Sequence, residues 1–128
     1  MERTPINPWP WSLNLGYNQG ELVSGQARTL YLSGQAAMSA DGEPQHANDM
    51  PAQLTLSLDN MEAVLAEAGM TLANLVRLNV YTTDVDLLFQ HYGVLAARLG
   101  GTPTTTMLGV ARLALPDLLV ELEGTAVA

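Results

Sequence analysis

The sequence predicts an α+β domain, ordered β-β-α-β-α-β-β, in which one sheet carries two helices on a single face. Three observations predict it. The stretch 118–127, LLVELEGTAV, alternates: Leu118, Val120 and Leu122 point one way, Leu119, Glu121 and Glu123 the other. The stretch 51–68 repeats at helical spacing instead, with Leu54, Leu58, Met61, Leu65 and Ala68 on one stripe. Only two helical stretches serve at least five strands, and right-handed crossovers put both helices on the same side.

In chain order, residues 1–15 hold Pro5, Pro8 and Pro10 around Trp9 and Trp11. This predicts an extended arm whose tryptophans pack on their own subunit. Stretches 16–23 and 28–35 read as a hairpin joined through Ser24-Gly25-Gln26, and 39–48 is a loop by composition. The helix over 51–68 has Asn48 or Asp49 as its cap, Pro51 in its first turn and Gly69 at its end. The strand over 75–81 sets Val76, Leu78 and Val80 against Arg77, Asn79 and Tyr81. A second helix starts at Asp84 or Asp86, buries Leu88, Tyr92, Leu95 and Leu99, and closes at Gly100-Gly101, with His91 beside the stripe as a structural histidine. Two strands follow, over 104–111 and 118–127, with Pro116 and Asp117 in the turn between them. The helix-free face is expected to hold Tyr31, Ser33, Tyr81, Thr105, Met107, Leu119 and Glu121. That mixture is too apolar for open water and mixed enough for an interface, which predicts a homo-oligomer with pockets between subunits.

Composition narrows the chemistry. The 128 residues, 48% hydrophobic and 14% charged, suit one domain over 1–128. A net charge of -8 disfavours nucleic acid and anionic membrane surfaces as partners. No apolar run is long enough to span a bilayer, and the N-terminus lacks a signal pattern, so a cytoplasmic protein is expected. There is no cysteine, hence no thiol nucleophile and no thiolate metal ligand. All five basic residues are arginines, which excludes a lysine Schiff base. The two histidines show no metal spacing and no nucleophile context, so neither a metal, a cofactor nor a Ser/His/Asp triad is implied.

Several segments, taken together, resemble the YjgF/RidA family of reactive intermediate deaminases. They are Gly16-Tyr17-Asn18-Gln19-Gly20, Leu32-Ser33-Gly34-Gln35, Leu58-Asp59-Asn60, Val80-Tyr81-Thr82-Thr83-Asp84, Gly109-Val110-Ala111-Arg112-Leu113 and Val120-Glu121-Leu122-Glu123, in the family's order. The resemblance implies a chorismate-mutase-like fold and a barrel-shaped homotrimer with three clefts between subunits. It also implies hydrolysis of enamine or imine intermediates such as 2-aminoacrylate to the keto acid and ammonia. Carried over position by position, Glu121 positions water and Tyr17 joins it as a catalytic residue. Ser33 lines the cleft, and Gly34 and Met107 offer backbone groups to the substrate. The family's carboxylate-clamping arginine falls at Thr105, and a helix asparagine falls at Tyr92. A guanidinium grips a carboxylate bidentately; a threonine hydroxyl brings no charge. Arg112 is no obvious substitute, since alternation along its segment puts it on the face opposite Thr105 and Met107. The chain thus reads as a divergent member that binds a small-molecule ligand and is not a standard 2-aminoacrylate deaminase. Two alternatives stay open: a trimer that binds a metabolite without turnover, and a pathway-specific deaminase or lyase of aromatic-compound breakdown.

Overall fold

A computed structural model describes residues 1–100 and 103–128 of the chain. Gly101, half of the expected Gly-Gly helix stop, lies outside the described residues. Strands β1 (Glu2–Ile6) and β2 (Gly20–Ser24) form a two-stranded antiparallel sheet around a 3₁₀ segment, Pro10–Leu15. Then come β3 (Thr29–Ala36), helix α1 (Met50–Glu67), β4 (Leu75–Thr82), helices α2 (Val85–Gln90) and α3 (Tyr92–Leu99), β5 (Thr104–Gly109) and β6 (Val120–Val127). The main sheet runs β3-β6-β4-β5, with β6 antiparallel to both neighbours and β5 parallel to β4.

The alternation of the last strand places it in the middle of this sheet. Val120, Leu122 and Ala126 are fully buried, together with Leu78 and Val80 of β4. Leu54, Leu58, Met61 and Leu65 of α1 close over them, joined by Leu95 of α3 in one core. The α1 stripe is the one the spacing predicts. Asp49 caps the helix by accepting from the Ala52 N–H at 3.1 Å. Gln53 is buried among the apolar residues and fully used. Its amide donates to the carbonyls of His46 (3.0 Å) and Asp117 (2.8 Å), and its oxygen accepts from the Leu119 N–H (2.8 Å). One side chain thus ties the helix to the loop before it and to the approach to β6.

Four expectations are corrected. The hairpin over 16–35 does not form: β3 pairs with β6, and the N–H groups of Ala27 and Arg28 both bond the Ala128 carbonyl. β2 pairs with β1 instead, so the N-terminal arm contains a strand and a 3₁₀ turn. Arg3 holds this small sheet down by pairing with Glu21 and donating to the carbonyls of Ala73 and Leu75. The tryptophans are not packed away: Trp9 is 59% and Trp11 54% exposed. The second helix is broken at His91, which ends α2 and precedes α3. Finally, Thr105 and Met107 leave the helix-free face. They pair with buried Leu78 and Val80, so they turn to the helix side, while Thr104, Thr106 and Leu108 take the open face. Arg112 lies beyond the end of β5, so strand alternation does not place it; its guanidinium bonds the nearby Leu113 and Ala114 carbonyls.

The open face is more polar than expected. Glu123 accepts from the Asn79 amide (2.9 Å) and the Tyr81 hydroxyl (2.7 Å), and Arg77 donates to the Thr106 hydroxyl (2.7 Å). The Tyr81 bond, then that of Asn79, holds the Glu123 carboxyl below its ordinary value, and the same bond pushes the Tyr81 phenol up.

Two outcomes follow from these contacts. Gln53→Leu keeps the bulk but strands two carbonyls and an N–H, so it is expected to lower stability by about 2–4 kcal/mol, read as an earlier urea midpoint at unchanged slope. Glu123 has a depressed folded-state pKa, so its contribution is present at neutral pH and lost as pH falls through the carboxylate range. Wild type should therefore lose more stability than Glu123→Gln as pH falls through the carboxylate range, read as urea midpoints. Equal acid sensitivity would remove the linkage.

Candidate functional site

The residues expected to share one cleft lie in two places. Tyr17, Tyr92, Thr105 and Met107 come together at the β5 edge, with Leu15 and Phe89, around a cavity of about 350 Å³. Each is positioned by a different element. Gly16, at φ 84, ends the 3₁₀ segment in the left-handed conformation that glycine adopts without strain, and so turns Tyr17 toward the body. Trp11 meets Tyr17 edge to face at 6.2 Å. Tyr92 opens α3, beside Phe89 of α2, their rings 6.4 Å apart. Its hydroxyl donates to the Leu15 carbonyl at 3.1 Å, tying α3 to the 3₁₀ segment. Burial, then the neighbouring Tyr17, pushes the Tyr92 phenol up. The Thr105 hydroxyl donates to the Pro103 carbonyl at 2.9 Å, so its proton is already committed.

Gly34 and Glu121 lie elsewhere, at the β3 edge of the sheet, in a smaller pocket of about 210 Å³ shared with Gln35, Ala36 and Asn60. The pairing of β3 with β6 shifts register between Leu32 and Gln35, and Ser33 and Gly34 fall in that irregular step. Glu121 folds back over Gly34: a Cβ on that glycine would sit 1.8 Å from the carboxylate oxygen. An alanine at 34 would have to displace the Glu121 carboxylate, the mobile end of a side chain. Asn60 fixes the far wall by donating to the carbonyls of Ala36 (2.9 Å) and Met38 (3.0 Å). Ser33 stands exposed next to the pocket rather than in its lining.

Within one chain, then, Tyr17 and Glu121 line separate pockets, one against β5 and the other against β3, the two outer strands of the sheet. Leu15, Phe89 and Asn60 are site residues that sequence reading missed. Phe89 had a signal: it is the chain's one phenylalanine, placed off the helical stripe and 62% exposed. Among the described residues no group of three or more His, Asp or Glu is placed to hold a metal, and no helix is long and apolar enough to cross a membrane.

Comparison with known proteins agrees with this architecture. A sequence model of the family described as Endoribonuclease L-PSP matches residues 14–128. The mitochondrial protein mmf2 of Schizosaccharomyces pombe is 36% identical over 90 residues, covering 67% of this chain and 64%, under two thirds, of that protein. The crystal structure of YyfB from Yersinia pestis, a Rid-family protein of unknown function, superposes with a TM-score of 0.89 at 34% identity, covering 100% of both chains. That of Escherichia coli TdcF with bound serine gives 0.69 at 28% identity, covering 88% of this chain and 87% of that one. On this match of sequence and fold, the chain belongs to the Endoribonuclease L-PSP family, also known as the YjgF/Rid family.

Proposed function

We propose that the chain works as a closed ring of three copies in which the β5 edge of one subunit meets the β3 edge of the next. The observation that carries this reading is the splitting of the site between the two outer strands of one sheet. A heterologous contact repeated around a ring joins such halves three times over. Each joined cleft then has an apolar cavity from one subunit and a carboxylate from the other. That TdcF is seen with bound serine supports a small-molecule site in this family.

The chemistry proposed is hydrolysis of a small imine, or of the enamine in equilibrium with it. Glu121 takes a proton from water as the oxygen adds to the C=N carbon, and the proton passes to nitrogen. The carbinolamine then collapses to a carbonyl compound and ammonia. The Tyr17 hydroxyl, which has no partner among the described residues, donates to the substrate nitrogen or oxygen. Gly34 gives the Glu121 carboxylate its room. A standard 2-aminoacrylate deaminase is not the reading favoured, since no cation lines either half. Nor is an RNA substrate, against a net charge of -8. That lack of a charged anchor is also what favours the second reading, a ring that binds a metabolite without turning it over.

Turnover of uncharged imines generated in place by a flavin amine oxidase separates the two. Glu121→Gln is expected to lower ammonia release by about 10²–10⁴-fold with ring assembly intact, and unchanged turnover would remove Glu121 from the chemistry. Co-expressed at equal amounts, Glu121→Gln and Tyr17→Phe subunits should recover about a quarter of the wild-type sites, because half-sites from different copies recombine. No recovery would place the whole site within one chain. Gly34→Ala should cost at least about tenfold in turnover with a nearly unchanged melting temperature, as the displaced group is the mobile end of a side chain.

A further inference from the structure

The cavity at the β5 edge says more about its occupant than the proposed reaction requires. Its six lining residues, Leu15, Tyr17, Phe89, Tyr92, Thr105 and Met107, include no charged side chain. Of its three hydroxyls two are committed, Tyr92 to the Leu15 carbonyl and Thr105 to the Pro103 carbonyl. Tyr17 keeps the one donor without a partner among the described residues. Three of the six side chains are aromatic, with Trp11 edge-on behind Tyr17.

From this we infer that the cavity seats an uncharged aryl group, which makes the substrate class aryl-bearing imines or enamines without a carboxylate. The inference rests on the reading above that this cavity is the substrate half of the site. Size permits it: a cavity of about 150 Å³ suffices for benzene, and this one is about 350 Å³. Geometry favours it, because tilted and edge-on rings offer a further ring both a face and an edge. Charge excludes the alternative. A carboxylate would lose its water here with no cation to replace it, inside a chain of net charge -8. Tyr92 and Thr105 are the specificity-determining pair: the first supplies the wall, the second leaves it neutral.

The test uses stable probes and the intact assembled protein, read by quenching of tryptophan fluorescence, since the Trp11 ring lies 6.2 Å from that of Tyr17 in the cavity lining. Benzamide, benzoate, benzylammonium and propionamide separate ring from charge. Benzamide is expected to bind saturably and at least about tenfold more tightly than the other three. Phe89→Ala, at an exposed position that puts little strain on folding, should weaken benzamide by about tenfold, as should Tyr92→Ala. Thr105→Arg should reverse the order, with benzoate overtaking benzamide. Tighter binding of benzoate, benzylammonium or propionamide to wild type would overturn the inference, as would an unchanged order in Thr105→Arg. The outcome is separable from that of the reaction itself. Aryl binding without ammonia release defeats the hydrolytic reading alone, and rapid release from small carboxylated imines with no aryl preference defeats the specificity alone.

Discussion

The structure depends on the insertion of β6 between β3 and β4. A central strand is buried on one face by the helices and must keep strict alternation there, which Val120, Leu122 and Ala126 do. The intervening residues Glu121, Glu123 and Thr125 are thereby committed to the other side. A slip of one residue would drive two carboxylates under α1, at a cost of several kcal/mol each without partners. Gly124 tightens the register, since a Cβ there would come within 3.0 Å of the Arg77 carbonyl and of Leu75. The position of Glu121, and so of any chemistry it performs, follows from the packing of the core.

The same topology decides what remains unfinished in a single chain. With β6 and β4 in the middle, β3 and β5 are left as edges, and a lone edge invites pairing with another chain. On the reading proposed above, each edge carries half of the site. One half brings a carboxylate and a register irregularity; the other brings aromatic rings and a hydroxyl. Neither offers both a means of holding an apolar group and a means of activating water.

Much of this was legible in the sequence, and the failures have physical causes. Alternation and helical spacing located β6, β4 and α1 within a residue or two, because those patterns report burial directly. They do not report which strand lies beside which. The pairing of β2 with β1, and of β5 with β4, is set by contacts across long stretches of chain, such as Arg3 reaching Ala73 and Leu75. For β5 the ambiguity was sharper. Met107 and Leu108 are adjacent and both apolar, so period two alone cannot say which one faces the core; the parallel register with β4 does. Of the residues that the family resemblance picked, Tyr17, Tyr92, Thr105 and Met107 line one pocket and Gly34 and Glu121 another, while Ser33 lines neither.

The two positions at which the resemblance implies a departure from the family pattern, threonine at 105 and tyrosine at 92, line the same cavity. A threonine in place of the expected arginine removes the charge that would hold an anion, and its hydroxyl is turned back on the Pro103 carbonyl. A tyrosine in place of an asparagine adds a ring to the wall and spends its own donor on the Leu15 carbonyl. That second bond has a structural consequence as well. It fastens the 3₁₀ segment carrying Trp11, and through Gly16 the turn to Tyr17, onto the start of α3. The break at His91 matters for this reason, because it lets α3 begin at Tyr92 with Phe89 beside it on α2. Either change alone would leave a polar cavity without its anchor or an anchored one with a bulky wall. Together they make a neutral, ring-lined cavity with Tyr17 as its one uncommitted donor.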